Sequence, residues 1–276
     1  MYLCRAPSLA TDVKGVRRSR RRGCRGEAVT VESMANGVTT QTLTEVVADH
    51  LRRLIHLGEV GPGDRLPAER ELAEQLGIAR LSLREALKTL QNDGYVEVRR
   101  GARGGTYVTE LEVPVARWRA RMRTVSGEFD DIIDFRIGLE TETARLAAAR
   151  RAPEDLAAVR ATIEDLTVAH DRTAFRLADS RFHASLARAA RSSRLGAAVE
   201  STRAELFNTH DLLPFIDPVQ ESVDDHETVF RAVEKGDVDA AAAAMRDHIE
   251  HTRTQLRAIV FATEPPSPES FGTTVS

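Results

Sequence analysis

The sequence predicts a mainly α chain: an N-terminal winged helix-turn-helix with a small β-hairpin wing, followed by a C-terminal all-α antiparallel helical bundle. Three observations lead there. Glycines and prolines punctuate residues 58–105 at intervals that allow only short helices, and the stretch ends in a glycine-tipped hairpin. Apolar residues before and after it recur at helical spacing. Beyond Pro114 there is no convincing strand, and alanine-rich amphipathic segments succeed one another with short connections.

At 276 residues the chain has room for two domains of ordinary size. No apolar run approaches a membrane span, and the arginine-rich N-terminus lacks the apolar region of a secretory signal, so a cytoplasmic protein with no membrane partner is expected. Cys4 and Cys24 fall in a segment expected to be unstructured, so no disulfide framework is implied. The net charge of −3 is unevenly spread: residues 1–39 carry eight basic and three acidic side chains, residues 40–108 ten of each, and residues 109–276 twenty-one basic and twenty-nine acidic. Any attraction of residues 40–108 for phosphate must therefore come from locally clustered arginines.

Residues 1–40 form a basic arm, with its cluster running from Lys14 to Arg25, and are expected to be disordered. Met34 opens a segment of more ordinary composition, so a solvated arm, or one lying ahead of the translated start, is favoured over a non-specific DNA contact. The winged helix-turn-helix is expected over residues 41–109. Thr42 caps a first helix in which Leu43, Val46, Val47, His50, Leu51, Leu54 and Ile55 recur at helical spacing, and Gly58 stops it. Pro62-Gly63-Asp64 makes a turn, and Pro67 opens a second helix over 68–76 that Gly77 closes. A third helix, about 79–93, turns Leu83, Ala86, Leu87 and Leu90 inward and ends at Gly94. Strands at 95–99 and about 106–109 flank the glycine-rich tip of the wing, residues 101–105.

Residues 110–114 read as a linker and 115–262 as the helical domain. Helices are expected at about 115–125, 128–151, 153–170, 173–190, 193–211, 218–235 and 237–261. The breaks fall at Gly127, Pro153, Asp171, Ser192-Ser193, Pro214/Pro218 and Gly236-Asp237, where Asp237 is placed as an N-cap. Residues 263–276 read as a disordered tail.

Arg80 and Arg84 lie four apart on one face near the start of the third helix. An arginine fork matches guanine O6 and N7 in the major groove, or clamps a phosphate. Arg70 is one helix earlier, and Arg99, Arg100 and Arg103 stud the wing, placed for phosphates or the minor groove. Any one of these alone would read as a solubilising surface arginine; their combination with a hairpin points to double-stranded DNA.

From Gly61 to Val108 the sequence resembles the winged helix-turn-helix of the GntR transcription regulators, through L-P-A-E-R-E-L-A, L-R-E-A-L and the Gly-Tyr and Gly-Gly-Thr-Tyr-Val spacings. The resemblance implies that Arg70, Arg80, Arg84 and the wing glycine Gly101 contact DNA, and Ser82 and Arg100 complete the candidate set. Two positions depart from the family: Ala79 stands where Ser or Thr is usual, and Leu81 where the residue is smaller or polar. A hydroxyl contact is lost and Leu81 would meet a thymine methyl instead, so the operator sequence does not carry over. A homodimer reading a near-palindromic operator is expected, because a two-fold protein presents two recognition helices.

Asp179 and His183, four apart, project from one helix face. His226 lies in the next-to-last expected helix and His248 in the last. One carboxylate and three imidazoles on three helices can converge inside a bundle, and such a mixed set suits Zn²⁺, Ni²⁺ or a related divalent ion. Each histidine taken singly reads instead as a satisfied core or surface residue. D-S-R-F-H-A-S-L at 179–186 and the run from His226 to His248 resemble the FCD effector domain of the FadR-type GntR subfamily, over roughly residues 129–253. That resemblance implies a divalent metal held by Asp179, His183, His226 and His248. The family often has Asn-Pro where this chain has Ser192-Ser193. Arg136, in D-F-R-I-G-L-E, matches a pocket arginine of the family and would clamp a carboxylate; its alternative is an ion pair with Glu140 on the same helix face. Asn208 and His210, expected on the helix before His226, are candidate pocket residues, and His251 reads as solvated.

The function these readings favour is a non-enzymatic, ligand-responsive transcription regulator, in which a small organic acid meets the metal and Arg136. The alternative is a metal-dependent enzyme of small carboxylates with a regulatory winged helix. It lacks a committed general base: Glu227 points about 100° away from its neighbour His226, and no E-x-x-H pair occurs. A purely structural metal is the third reading.

Overall fold

The computed structural model describes residues 41–207 and 219–261. Helix α1 (Leu43–His56) starts on a reciprocal cap: the Thr42 hydroxyl accepts the Glu45 N–H while the Glu45 carboxylate accepts the Thr42 N–H. It buries Val47, Ala48, Leu51 and Ile55. Helices α2 (Glu69–Leu76) and α3 (Arg80–Asn92) meet at Gly77, whose φ of 66° is the left-handed conformation that glycine adopts at no steric cost. The inward residues of α3 are Leu83, Ala86, Leu87 and Leu90, the four that the periodicity selects.

Strands β1 (Val96–Arg99) and β2 (Gly105–Val108) pair antiparallel, Val96 opposite Val108 and Arg99 opposite Gly105. A further pairing was not foreseen. Arg65 bridges Tyr107, and the Leu66 N–H donates to the Thr106 carbonyl at 2.9 Å, so the chain leaving the Pro62-Gly63-Asp64 turn covers the outer edge of β2. A single bridge is too short to leave an alternating pattern in the sequence.

Three expectations about the second half need correction. The linker ends early: α4 (Glu112–Thr124) contains Pro114, because a proline in the first turn forfeits no intrahelical bond. The break after α4 falls at Val125, and Gly127 lies within α5 (Ser126–Arg150), a position glycine tolerates at about 1 kcal/mol relative to alanine. Then come α6 (Pro153–Thr167), α7 (Arg172–Ala189) and α8 (Ser193–Arg203). Helix α8 stops at Arg203 instead of running to 211, and Phe207 leaves the helix to bury its ring against His56 and Trp118. Finally come α9 (Val219–Lys235) and α10 (Val238–Val260). Asp171, Ser192 and Asp237 cap α7, α8 and α10 through their side-chain oxygens. The basic arm, the C-terminal tail, Asn208, His210, Pro214 and Pro218 lie outside the described residues.

Helix α5 packs along α10 and against α7, while α9 lies on α10 and α6. Phe129, Ile133, Phe182, Leu186, Met245 and Ile249 fill the space between them. The winged helix-turn-helix sits against one end of this bundle. There the Arg176 guanidinium donates to the Ile55 carbonyl at 3.2 Å, and the Trp118 indole N–H to the Glu205 carbonyl at 3.0 Å. Gly58 lies against the backbone of α7: its φ is 78°, and a Cβ added there would lie 2.8 Å from the Leu177 backbone nitrogen. Gly63, with φ 84°, has nothing within 4 Å of such an atom. Gly63→Ala is therefore expected to cost only the left-handed strain, about 1 kcal/mol, and Gly58→Ala at least about 2 kcal/mol. Urea unfolding of the two variants checks this, and equal losses would contradict the close packing.

Candidate metal centre and DNA-facing surface

The first turns of α3 expose Arg80, Leu81 and Arg84, with Leu81 at 69 % the most exposed large apolar residue of the reading unit. Ser82 is half-buried on the same turn. The Arg84 guanidinium donates Nη2 and Nε to one oxygen of Glu69, at 3.0 and 3.3 Å. That bond brings the start of α2, with exposed Arg70, alongside the reading helix; Arg70 itself lies 3.7 Å from Glu74. On the wing, the Arg99 guanidinium lies over the Tyr107 ring at 4.3 Å and reaches Glu97 at 2.7 Å. The Tyr107 hydroxyl donates to the Arg103 carbonyl at 2.8 Å. Gly101 turns the tip at φ 101° with open space around it, and exposed Arg100 precedes it.

Within the bundle, Asp179 and His183 from α7, His226 from α9 and His248 from α10 come together. All four side chains are buried, and one ligand atom from each lies within 4.8 Å of the others. Asp179 Oδ1 faces His226 Nε2 at 3.4 Å and His183 Nε2 at 3.8 Å. The ring centres of His226 and His248 are 4.7 Å apart, and those of His183 and His248 5.4 Å. Phe182 stacks on His226 at 4.0 Å and holds the ring in plane.

Each of three ligands is gripped from its outer side. Arg203, at the end of α8, donates to Asp179 Oδ2. Glu140, on α5, contacts His183 Nδ1, and Arg136 donates its Nε to the other Glu140 oxygen at 2.8 Å. Asp225 lies 3.4 Å from His248 Nδ1 and 3.0 Å from His251 Nδ1. The inner atoms are left over. His183 Nε2 and both nitrogens of His226 are buried without a hydrogen-bond partner among the described residues. Orphaned buried nitrogens facing a carboxylate oxygen are what a divalent cation would satisfy, so the donor set fits one.

The sequence placed Arg136 as a carboxylate clamp or as a partner of Glu140; the ion pair with Glu140 is formed. Asn208 lies outside the described residues. His251 is tied to Asp225, where the sequence suggested free solvation. Arg203, Asp225 and the second role of Glu140 were missed. They reach their partners across helices, and no spacing within one helix signals that.

Comparison with known proteins places these two assemblies in context. The model of the bacterial regulatory proteins of the gntR family matches residues 43–108, and that of the FCD domain matches residues 131–251. A protein of Escherichia coli (strain K12) named as an L-lactate dehydrogenase operon regulatory protein is 30 % identical over 80 % of this chain and 88 % of its own length. RmpR of Mycobacterium gastri, named as an HTH-type transcriptional regulator, is 32 % identical over 74 % of this chain and 77 % of its own. The solved structure of E. coli McbR/YncC is similar at a TM-score of 0.49 and 22 % identity, covering 80 % of this chain and 98 % of that one.

Burial sets the protonation of the cluster. It drives the His183 imidazole down from 6.5 to about 4, with the Arg203 cation adding to the effect and Glu140 and Asp179 opposing it. His226 falls well below the ordinary value, first through burial and then through the imidazole of His248. Burial alone would raise Asp179, but Arg203 and the three histidines hold its carboxyl far below the usual range. Neutral imidazoles and an ionised carboxylate are the forms a metal requires. In metal-free protein the unfolded chain binds the His183 proton near pH 6.5 and the folded chain only near pH 4. Stability is therefore full above pH 6.5 and falls as the pH drops from there toward 4, by roughly 3 kcal/mol for His183 alone. Urea unfolding of chelator-treated protein across that window should show the fall; a flat profile would contradict burial of neutral histidine.

Proposed function

Because the chain belongs to the GntR family of bacterial regulatory proteins and carries an FCD domain, we propose that this DNA-binding regulator senses a small organic acid at a buried divalent metal. The observation that carries the reading is the set of four buried donors whose inner atoms have no protein partner. Asp179, His183, His226 and His248 would hold the ion, with Zn²⁺ or Ni²⁺ suiting the mixed nitrogen and oxygen set. Bound there, the ion supplies a Lewis-acidic point of attachment for a carboxylate. Among the described residues Arg136 donates to Glu140 through Nε, and its terminal nitrogens would meet a ligand carboxylate, with Asn208 the second effector-binding candidate. An acid of this class accords with the E. coli relative, whose name ties it to an L-lactate dehydrogenase operon.

The DNA side of the reading rests on Arg70, Arg80, Ser82, Arg84, Arg100 and Gly101. Two copies of the chain, related by a two-fold axis, would present two α3 helices to a near-palindromic duplex in the cytoplasm. Effector binding changes operator affinity only as far as the acid prefers one arrangement of the reading units over another. The relatives above are named as regulators, and no residue is assigned a catalytic role.

Two outcomes test this reading. Arg84→Ala should weaken binding to a selected duplex by about tenfold or more in a gel-shift assay, the loss of one arginine fork; unchanged affinity would remove α3 as the reading helix. His226→Ala should fall from one bound metal per chain to background by elemental analysis while still unfolding cooperatively. Full occupancy in that variant would contradict the ligand assignment.

A further inference from the structure

We infer that Arg203 is a positioning residue that couples occupancy of the Asp179 site to the reading helix, through the end of α8, Trp118 and Arg117. The inference rests on the metal reading above and specifies how that site is read out. Arg203 is the last residue of α8 and is 9 % exposed. One of its terminal nitrogens holds Asp179 Oδ2, and its Nε is buried without a hydrogen-bond partner among the described residues. Two residues further on, the Glu205 carbonyl accepts the Trp118 indole N–H at 3.0 Å. Phe207 then seats its ring 4.3 Å from His56 and 5.8 Å from Trp118. Trp118 thus fastens α4 to the segment that emerges from the metal cluster.

The neighbour of Trp118 completes the route. Arg117 donates Nη1 to the carbonyl of Asn92, the last residue of α3, at 3.0 Å, and lies 3.5 Å from Asp93. Helix α3 carries Arg80 and Arg84 at its other end. A second contact joins the same two regions: Arg176, three residues before Asp179 on α7, donates to the carbonyl of Ile55 near the end of α1. The two segments that hold Asp179 thus both touch the reading unit.

Electrostatics supplies the drive. Without a cation, the Arg203 guanidinium bonded to Oδ2 is the largest counter-charge to the ionised Asp179 in its buried site. With a divalent cation held by the four donors, the Arg203 guanidinium would cease to be the chief counter-charge to Asp179 and would be repelled, so that Arg203 would leave one geometry for another. Because α8 ends at Arg203, displacement falls on residues 204–207, whose carbonyl and ring are what Trp118 and His56 rest on. Metal and DNA then share a coupling free energy, and each changes the affinity of the other by the same factor.

Trp118 is the only tryptophan of the chain, so its emission reports on the junction directly. The experiment titrates chelator-stripped, full-length protein with Zn²⁺, a closed-shell ion, following both heat and fluorescence. Wild type should bind Zn²⁺ and change its Trp118 emission with the same midpoint. Arg203→Lys should bind Zn²⁺ with the emission change largely lost; an undiminished change would overturn the inference. Trp118→Phe and Arg117→Ala, which leave the cluster untouched, decide the matter independently and remain decisive if Arg203→Lys does not bind. Each should bind Zn²⁺ within about twofold of wild type, while the Zn²⁺-dependent change in affinity for a duplex selected by wild type, on the order of fivefold or more, falls toward unity. Retention of that change in both variants would overturn the route. Zn²⁺ binding by wild type without any emission change sinks the coupling alone, whereas absence of Zn²⁺ binding sinks the metal reading and the coupling with it.

Discussion

A carboxylate and three imidazoles sealed from water where α7, α9 and α10 meet place the strictest constraint on this fold. An ionised acid buried in a bundle costs several kcal/mol unless opposite charge and hydrogen bonds surround it. Arg203 meets that demand on one side of Asp179, while Arg136 neutralises the Glu140 that steadies His183. Asp225 does the same for His248. These outer partners fix which face of each side chain turns inward, and His183 Nε2 and the His226 nitrogens are left without hydrogen-bond partners among the described residues. Four buried side chains from α5, α7 and α8, two cationic and two anionic, thus cancel before any metal arrives. A cation entering such a balanced interior would carry uncompensated positive charge, which is the physical reason to expect an acid as co-ligand.

The DNA-facing surface follows a different logic. Residues 40–108 are neutral overall, so long-range attraction to a polyanion is weak. Arg84 and Arg99 rest on Glu69 and Glu97 in the free protein, each pair substantially exposed. Exposed pairs of this kind contribute only about 0–1 kcal/mol, so exchanging the carboxylate for a base edge or phosphate costs little. In the meantime the carboxylates hold the guanidiniums in place. Leu81 is bare on the same turn, and under the proposed reading it would find its partner in a thymine methyl.

How much of this was legible in the sequence depended on whether the signal lay within one element. The inner face of α3, the glycine turn at Gly77, the wing and the Asp179–His183 pair all depend on spacing along one segment, and all are found as read. What failed depended on distant contacts. The end of α8 is set by Phe207 packing on His56 and Trp118, residues far earlier in the chain. Pro114 read as the end of the linker, but its position within the first turn, rather than its identity, decides that the helix admits it. No spacing along the chain singles out Arg203, and only the fold shows it turned inward onto Asp179.

The most direct test of the central claim is the ligand environment of the metal itself. X-ray absorption at the metal edge of Zn²⁺-loaded, full-length protein reads the donor atoms without relying on variants or on DNA. Three imidazole nitrogens at about 2.0–2.1 Å, accompanied by oxygen at a similar distance, are the predicted shell. A shell of oxygen alone, or one containing sulfur, would mean that the ion sits elsewhere and that the buried histidines do not bind it.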